Sequence, residues 1–306
     1  MIMKKGLVSH KGVTLVELLI STAVVMVVLS MAINIYLDAK EQYIQLEKRA
    51  DVDLKQLTTK RLLQDFVGRV GFASKFGSSE QEYIDRTGDS LEGFFLPTNS
   101  SLRVGELPLP SSDHIAAALE TGCTNECFED GTDYIMIRGE ESHTELIANN
   151  SSEVSLELKS NEGLAVDDYL LLSNKDTANL VKINAINDDG VITLNSNPQD
   201  TVYYAGDYAG RYSFQVMYVR NTGEQDSDGN DITSLYIYIK SSSAQGRSYE
   251  LVRGVNNMQV EHATVSGDVI TWNAITTDMD INSNDTPAIR VSFDIDDQSF
   301  NRIIVL

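Results

Sequence analysis

A single acid, Glu17, interrupts an otherwise apolar run from Val13 to Tyr36, VTLVELLISTAVVMVVLSMAINIY. A carboxylate inside a lipid-facing helix costs about 2.5–3.5 kcal/mol on insertion scales, so it needs a reason to be there. The run is long enough to span a bilayer and contains no Gly or Pro. Before it stand Lys4, Lys5 and Lys11, and the first twelve residues hold no acid. Lysines so placed stay on the cytoplasmic side of a membrane. An ordinary secretory signal has a shorter apolar core, followed by small residues at its cleavage site. Here the small residue, Gly12, comes before the apolar run. A cut between Gly12 and Val13 would keep the run as an anchor, with Glu17 as the fifth residue of the mature chain. In a dry bundle of such helices, the Glu17 carboxylate and a neighbour's terminal ammonium would offset each other's burial cost. That attraction would draw a subunit into register. The plainer alternative is a signal-anchor helix with a stray acid near its end.

The segment Lys11-Gly12-Val13-Thr14-Leu15-Val16-Glu17-Leu18-Leu19 resembles the class III leader junction of type IV pilins and type II secretion pseudopilins. The resemblance implies cleavage after Gly12 by a prepilin peptidase, then N-methylation of Val13. Glu17 matches the family's fifth-position glutamate, which serves assembly. Val13 departs from the Phe that the family usually carries there.

These residues need elements to carry them. The helix is expected to run on past the membrane, because Asp38 to Val70 holds no Pro and no Gly before Gly68. Leu46, Ala50, Leu54 and Leu57 share one helical face, and Leu63, Phe66 and Val70 continue the spacing. This stripe is expected to pack on a sheet. A coiled coil is the alternative, but there are too few clean heptads for one. Beyond Gly71 the pattern changes to short alternating apolar runs separated by turn signals such as Asp189-Gly190, Asp228-Gly229 and Ser266-Gly267. Strands are predicted at Tyr134–Arg138, Val154–Lys159, Tyr169–Ser173, Leu180–Ile186, Val191–Leu194, Tyr212–Arg220, Ser234–Lys240, Met258–Ala263, Val269–Trp272, Ile289–Ile295 and Arg302–Val305. Gly71 to Asp133, with Pro97, Pro108 and Pro110, reads as loop-rich. The expected fold is therefore α+β and pilin-like: a long N-terminal helix packed on a large, mostly antiparallel β domain. The expected division is a leader at 1–12, a helix at 13–70 (13–36 transmembrane, 37–70 amphipathic) and an exported β-rich domain at 71–306.

Composition narrows the function. Net charge is −21, from 45 acids against 24 bases, so nucleic acid phosphates would repel the chain and no direct nucleic acid binding is expected. No nucleophile motif, phosphate loop or dinucleotide fingerprint is present. His114, His143 and His262 are scattered, and no enzyme activity or cofactor is expected. Glu224, Asp226 and Asp228, followed by Gly229, approximate the start of a calcium loop. However, Leu235 occupies the position where the closing glutamate would stand, and a solvated hairpin loop is the favoured reading. Asp278 to Asp285 alternates oxygen-bearing residues without a central glycine. Cys123 and Cys127 cannot make a four-ligand zinc site by themselves. They read as a local disulfide if the domain is exported, or as two free thiols in a loop.

Later segments carry a further resemblance. Gly131-Thr132-Asp133-Tyr134-Ile135-Met136-Ile137-Arg138-Gly139, Val166 to Ser173 with Leu180-Val181-Lys182-Ile183, and Ala288-Ile289-Arg290-Val291-Ser292-Phe293 resemble PilW-type minor pilins. Leu251-Val252-Arg253-Gly254-Val255-Asn256-Asn257-Met258-Gln259-Val260 is similar to a segment shared by PilW proteins and J-type minor pseudopilins. In relatives the Leu-Leu-Leu-Ser strand often leads into a cysteine; here Asn174 and Lys175 follow, which favours the local Cys123–Cys127 pair. The resemblance implies a minor pilin, inserted in the inner membrane with its C-terminal domain periplasmic and later built into the extracellular filament. Its implied partners are other minor pilins, the major pilin, the prepilin peptidase and the assembly platform. A minor pseudopilin of type II secretion, or a membrane-anchored binding or adhesion domain, remains the alternative.

Overall fold

With no Gly or Pro between Leu15 and Val67, nothing interrupts helical hydrogen bonding, and a 53-residue helix α1 forms over Leu15–Val67. The computed structural model describes residues 14–68, 82–89, 91, 102–107, 119, 129, 131–151, 154–187, 190–198, 202–243, 246–281, 285–296 and 298–306. The chain divides into two compact units, Met1–Leu54 and Lys55–Leu306.

Over the opening turns of the first unit, Leu15, Leu18, Val25, Val28, Met31 and Ile35 are all exposed, so from Leu15 to Leu37 α1 is apolar around most of its circumference. Such a surface suits lipid or packed helices, not water. Among the described residues, α1 is the helix long and apolar enough to cross a membrane. Ser21 and Thr22 turn their hydroxyls back onto the helix, donating to the carbonyls of Glu17 (2.7 Å) and Leu19 (2.9 Å). That satisfies both groups without water.

The second unit begins with the last turns of α1. Thr59, Leu63, Phe66 and Val67 are buried there. Within this unit the expected stripe holds at Leu63 and Phe66, which are core, and is corrected at Leu57, which is exposed. The buried face of the second unit's helical turns runs through Thr59, Leu63 and Phe66 at i, i+4 and i+7.

The strands are β1 (Glu82–Asp85), β2 (Leu102–Glu106), β3 (Asp133–Glu145), β4 (Asn150–Ser151), β5 (Ser155–Glu157), β6 (Tyr169–Ser173), β7 (Thr177–Ile186), β8 (Val191–Leu194), β9 (Val202–Tyr203), β10 (Tyr208–Gln225), β11 (Asp231–Lys240), β12 (Arg247–Arg253), β13 (Val255–Ser266), β14 (Val269–Ala274), β15 (Met279–Ile281), β16 (Ala288–Ile295) and β17 (Gln298–Val305). An 11-stranded sheet follows the order β15-β2-β3-β10-β6-β7-β8-β5, with β1 paired to β7, β11 to β10 and β12 to β11. A second sheet has the order β14-β13-β16-β17. Pairing is antiparallel except for β1 with β7. The fold is α+β, as the patterning predicts.

The central strands are buried on both faces and use their two-residue period to feed two cores. On β3, Ile135 and Ile137 join the cluster containing Leu63, Phe66, Met217, Val260 and Phe293. Tyr134 and Met136, on the other face, join Tyr169, Phe214, Tyr218 and Tyr238. The first cluster draws on α1, the large sheet and the small sheet, and so holds the helix end to the β structure.

Within Gly71–Asp133, expected to be loop-rich, the described residues include two strands that the patterning did not place, β1 and β2. Leu102 and Val104 of β2 are fully buried between β15 and β3. Gly105 disguises this strand as a turn. Its role is spatial, because a Cβ there would lie 1.9 Å from the Asp278 carboxylate. The stretch from Asp278 is likewise not a free acidic loop: Met279–Ile281 is β15, and Asp280 accepts from Arg103 at 2.9 Å.

Two sequence segments far apart in the chain meet at the seam between the sheets. The Asp133 carboxylate accepts the Val260 N–H at 2.5 Å, and Gly131 O accepts from the Gln259 side chain at 2.6 Å. Glu129 accepts the Asn257 N–H at 2.9 Å. Alongside, Gly254 (φ 81°) lets β12 pass into β13. A side chain there would strike Asp296, whose own carboxylate takes Lys55 of α1 at 2.6 Å. Helix end, hairpin corner and sheet seam are thus tied at neighbouring points.

Burial of Asp133, reinforced by the facing Glu106 and only partly offset by the Val260 N–H, raises its carboxyl to about 7. A carboxyl raised on folding binds more protons folded than unfolded, so stability falls as pH rises. Its contribution is full below the unfolded value near 4 and is lost as pH climbs through about 7. Asp133→Asn keeps an acceptor for Val260 and removes the ionisation. In chemical denaturation, the variant should match the wild type at pH 4 and exceed it by about 2–4 kcal/mol at pH 8.

Candidate functional site

The helix opens on a reciprocal cap. The Thr14 N–H and hydroxyl both donate to Glu17 Oε2, at 2.9 and 3.0 Å, and the Glu17 N–H approaches Thr14 Oγ1 at 3.3 Å. This is a capping box: a Thr at the cap and a Glu three residues on, each satisfying a backbone donor that the first turn leaves open. The pattern Thr-x-x-Glu at 14–17 carries that signal in the sequence, and the sequence reading passed over it in favour of the charge alone. Glu17 thus sits at the positive end of the helix dipole, where a carboxylate is favoured. It is fully exposed in the single chain, so its charge has room to meet a group from another molecule.

Gly12 and Val13, the expected cleavage and N-methylation positions, lie outside the described residues, as do Cys123 and Cys127 of the expected disulfide and His114. His143 stacks on Tyr208 with ring centroids 5.9 Å apart. His262 lies on β13 opposite Ile289.

The weak calcium candidates have other occupations. Asp226 closes the β10–β11 turn: one oxygen accepts the N–H groups of Asn230 (2.9 Å) and Asp228 (2.8 Å), and the other accepts the Asn230 amide at 3.1 Å. These donors, led by the Asn230 N–H, hold the Asp226 carboxyl below the usual range. Glu224 pairs with Arg253. Asp228 is exposed at the turn. Among the described residues no group of three or more His, Cys, Asp or Glu is arranged to hold a metal ion.

Comparison with known proteins places the chemistry at the same end of the chain. The prokaryotic N-terminal methylation motif matches residues 8–33. This span contains Gly12, Val13, Glu17 and the first turns of α1. The motif is a prepilin leader of the type IV pilin kind, and it indicates a type IV pilin-like or pseudopilin protein. No curated protein and no solved structure matches the chain.

Proposed function

We propose that the chain is a minor pilin of a Gram-negative type IV pilus. It enters the inner membrane through α1 with its β domain periplasmic. Prepilin peptidase cuts after Gly12 and methylates Val13. The mature subunit then joins other minor pilins and the major pilin, on the assembly platform, in a complex that primes the filament near its tip. Motility, adhesion and DNA uptake depend on it indirectly. Catalysis and cofactors have no part in this role, and Cys123–Cys127 forms a local disulfide in the exported domain.

The observation that carries the reading is the methylation motif at 8–33, with Glu17 exposed at the start of a helix whose opening turns are apolar on most sides. The choice of a pilus over a secretion machine rests on the resemblance of 131–139, 166–183, 251–260 and 288–293 to PilW-type proteins. Two of these segments, 131–139 and 251–260, meet at the seam of the β domain.

Deleting the gene should remove surface pili and leave export of secreted enzymes intact. Retained pili with blocked export would assign the subunit to type II secretion instead. Loss of neither would make it an anchored domain outside any filament.

A further inference from the structure

Among the described residues, β17 has a strand partner on one edge alone, and its outer edge is arranged for pairing. β17 is the end strand of the small sheet, and its partner β16 covers one edge in an unbroken register from Ile295↔Gln298 to Ala288↔Val305. The next residue, Leu306, donates its N–H to Pro287 O at 3.0 Å. In an antiparallel pair, hydrogen-bonded and non-bonded positions alternate. Even-numbered residues of β17 therefore bond inward to β16. Ser299, Asn301, Ile303 and Val305 turn their N–H and C=O groups to the outer edge.

Sheets ordinarily blunt such an edge with a bulge, a proline, lysines or a covering element. β17 is eight residues long, with no Pro and no Lys, and its register carries no shift. The side chains of the odd residues stand on the exposed face, where Ile303 is 48% and Val305 79% accessible. That face continues inward as Arg290, which lies over the Trp272 ring at 4.9 Å and pairs with Glu261. The other end of the strand is polar and acidic: the Asp294 carboxylate accepts from the Ser299 hydroxyl at 2.6 Å through one oxygen and from the Asn257 amide at 2.8 Å through the other, and keeps its charge.

We propose that this edge is a docking strand for an extended segment of a different protein. That segment adds to the sheet beside β17, with apolar side chains two residues apart over Ile303 and Val305 and a basic side chain toward Asp294. Unpaired N–H and C=O groups in strand register are complementary to another extended backbone. The carboxylate at one end selects a cation. The chain's charge of −21 disfavours a second copy of itself, since like surfaces repel. The inference goes beyond the filament reading, because strand addition would operate on the membrane-anchored subunit as well as in a filament.

The test uses the full chain in its own cells, with p-benzoylphenylalanine placed at Asn301 or at Ile303, irradiation of membrane and filament fractions separately, and mapping of the adducts by mass spectrometry. Adducts from the two positions should fall two residues apart in one extended segment of another protein. Ile303→Pro removes an outward N–H and keeps every bond to β16. With the photoprobe at Asn301, it should lower the adduct yield about tenfold while moving the melting temperature of the full chain in detergent by less than about 3 °C. Ile304→Pro, which breaks an inward bond, should lower that temperature markedly. The proposal is overturned by adducts on a second copy or on the same chain, by the absence of adducts in both fractions, or by a yield that Ile303→Pro leaves unchanged. Failure of the filament reading would show separately, as adducts in membranes with no subunit in filaments.

Discussion

Glu17→Ala should remove the subunit from sheared filaments, by at least about tenfold against the wild type at equal membrane levels, because one buried charge pair is worth more than 1.4 kcal/mol in a dry bundle. Alanine also deletes half of the cap that Glu17 makes with Thr14, so it cannot separate the two roles. Glu17→Gln can. Glutamine serves at the third position of a capping box but carries no charge to meet a neighbour's ammonium. If the charge recruits the subunit, Glu17→Gln fails as badly as Glu17→Ala. If Glu17 acts as a cap alone, Glu17→Gln assembles normally and Thr14→Ala, which removes the hydroxyl, fails instead. Immunoblots of sheared filaments and of membranes, side by side, decide between them.

Phe66→Ala should lower the stability of the β domain by about 3–5 kcal/mol, the usual cost of emptying an aromatic core site. Phe66 is 2% exposed and packs with residues from both sheets. For a unit of this size that corresponds to a fall in Tm of about 6–20 °C. Leu57→Ala, only nine positions earlier but 62% exposed, should stay within about 0.5 kcal/mol. Fluorescence of Trp272, the chain's one tryptophan, follows unfolding in both variants. Equal losses would restore the helix face that Leu46, Leu54 and Leu57 suggested.

That contrast shows what the sequence made legible. Hydrophobicity picked out Leu57 as inward because leucine outranks threonine, yet Thr59 is the buried residue and Leu57 is exposed. Periodicity alone cannot say which apolar residues of a long helix meet the domain core. Strongly apolar strands were easy: β6, buried on both sides through its run of Leu, and β8, buried on one side through Ile192 and Leu194, fall at the predicted residues. β2 was hidden by Gly105, whose missing side chain makes way for Asp278. β12 was hidden by its charges, since Arg247, Glu250 and Arg253 mask a strand with one buried side, Val252. At the helix start, the charge of Glu17 was legible from its apolar surroundings, whereas its cap to Thr14 needed the local pattern to be read as structure as well as a leader. The seam between 131–133 and 257–260 lay beyond sequence reasoning. Its partners are more than a hundred residues apart and join through backbone groups that no side-chain pattern announces.

The central claim is that the chain is processed as a prepilin, and the mature N-terminus tests it most directly. Purified from membranes or sheared filaments, the protein should begin at Val13 with a methylated amine, read by N-terminal sequencing and by the mass of the first peptide. An intact Met1, or a cut beyond Tyr36 that discards the helix and Glu17, would contradict it.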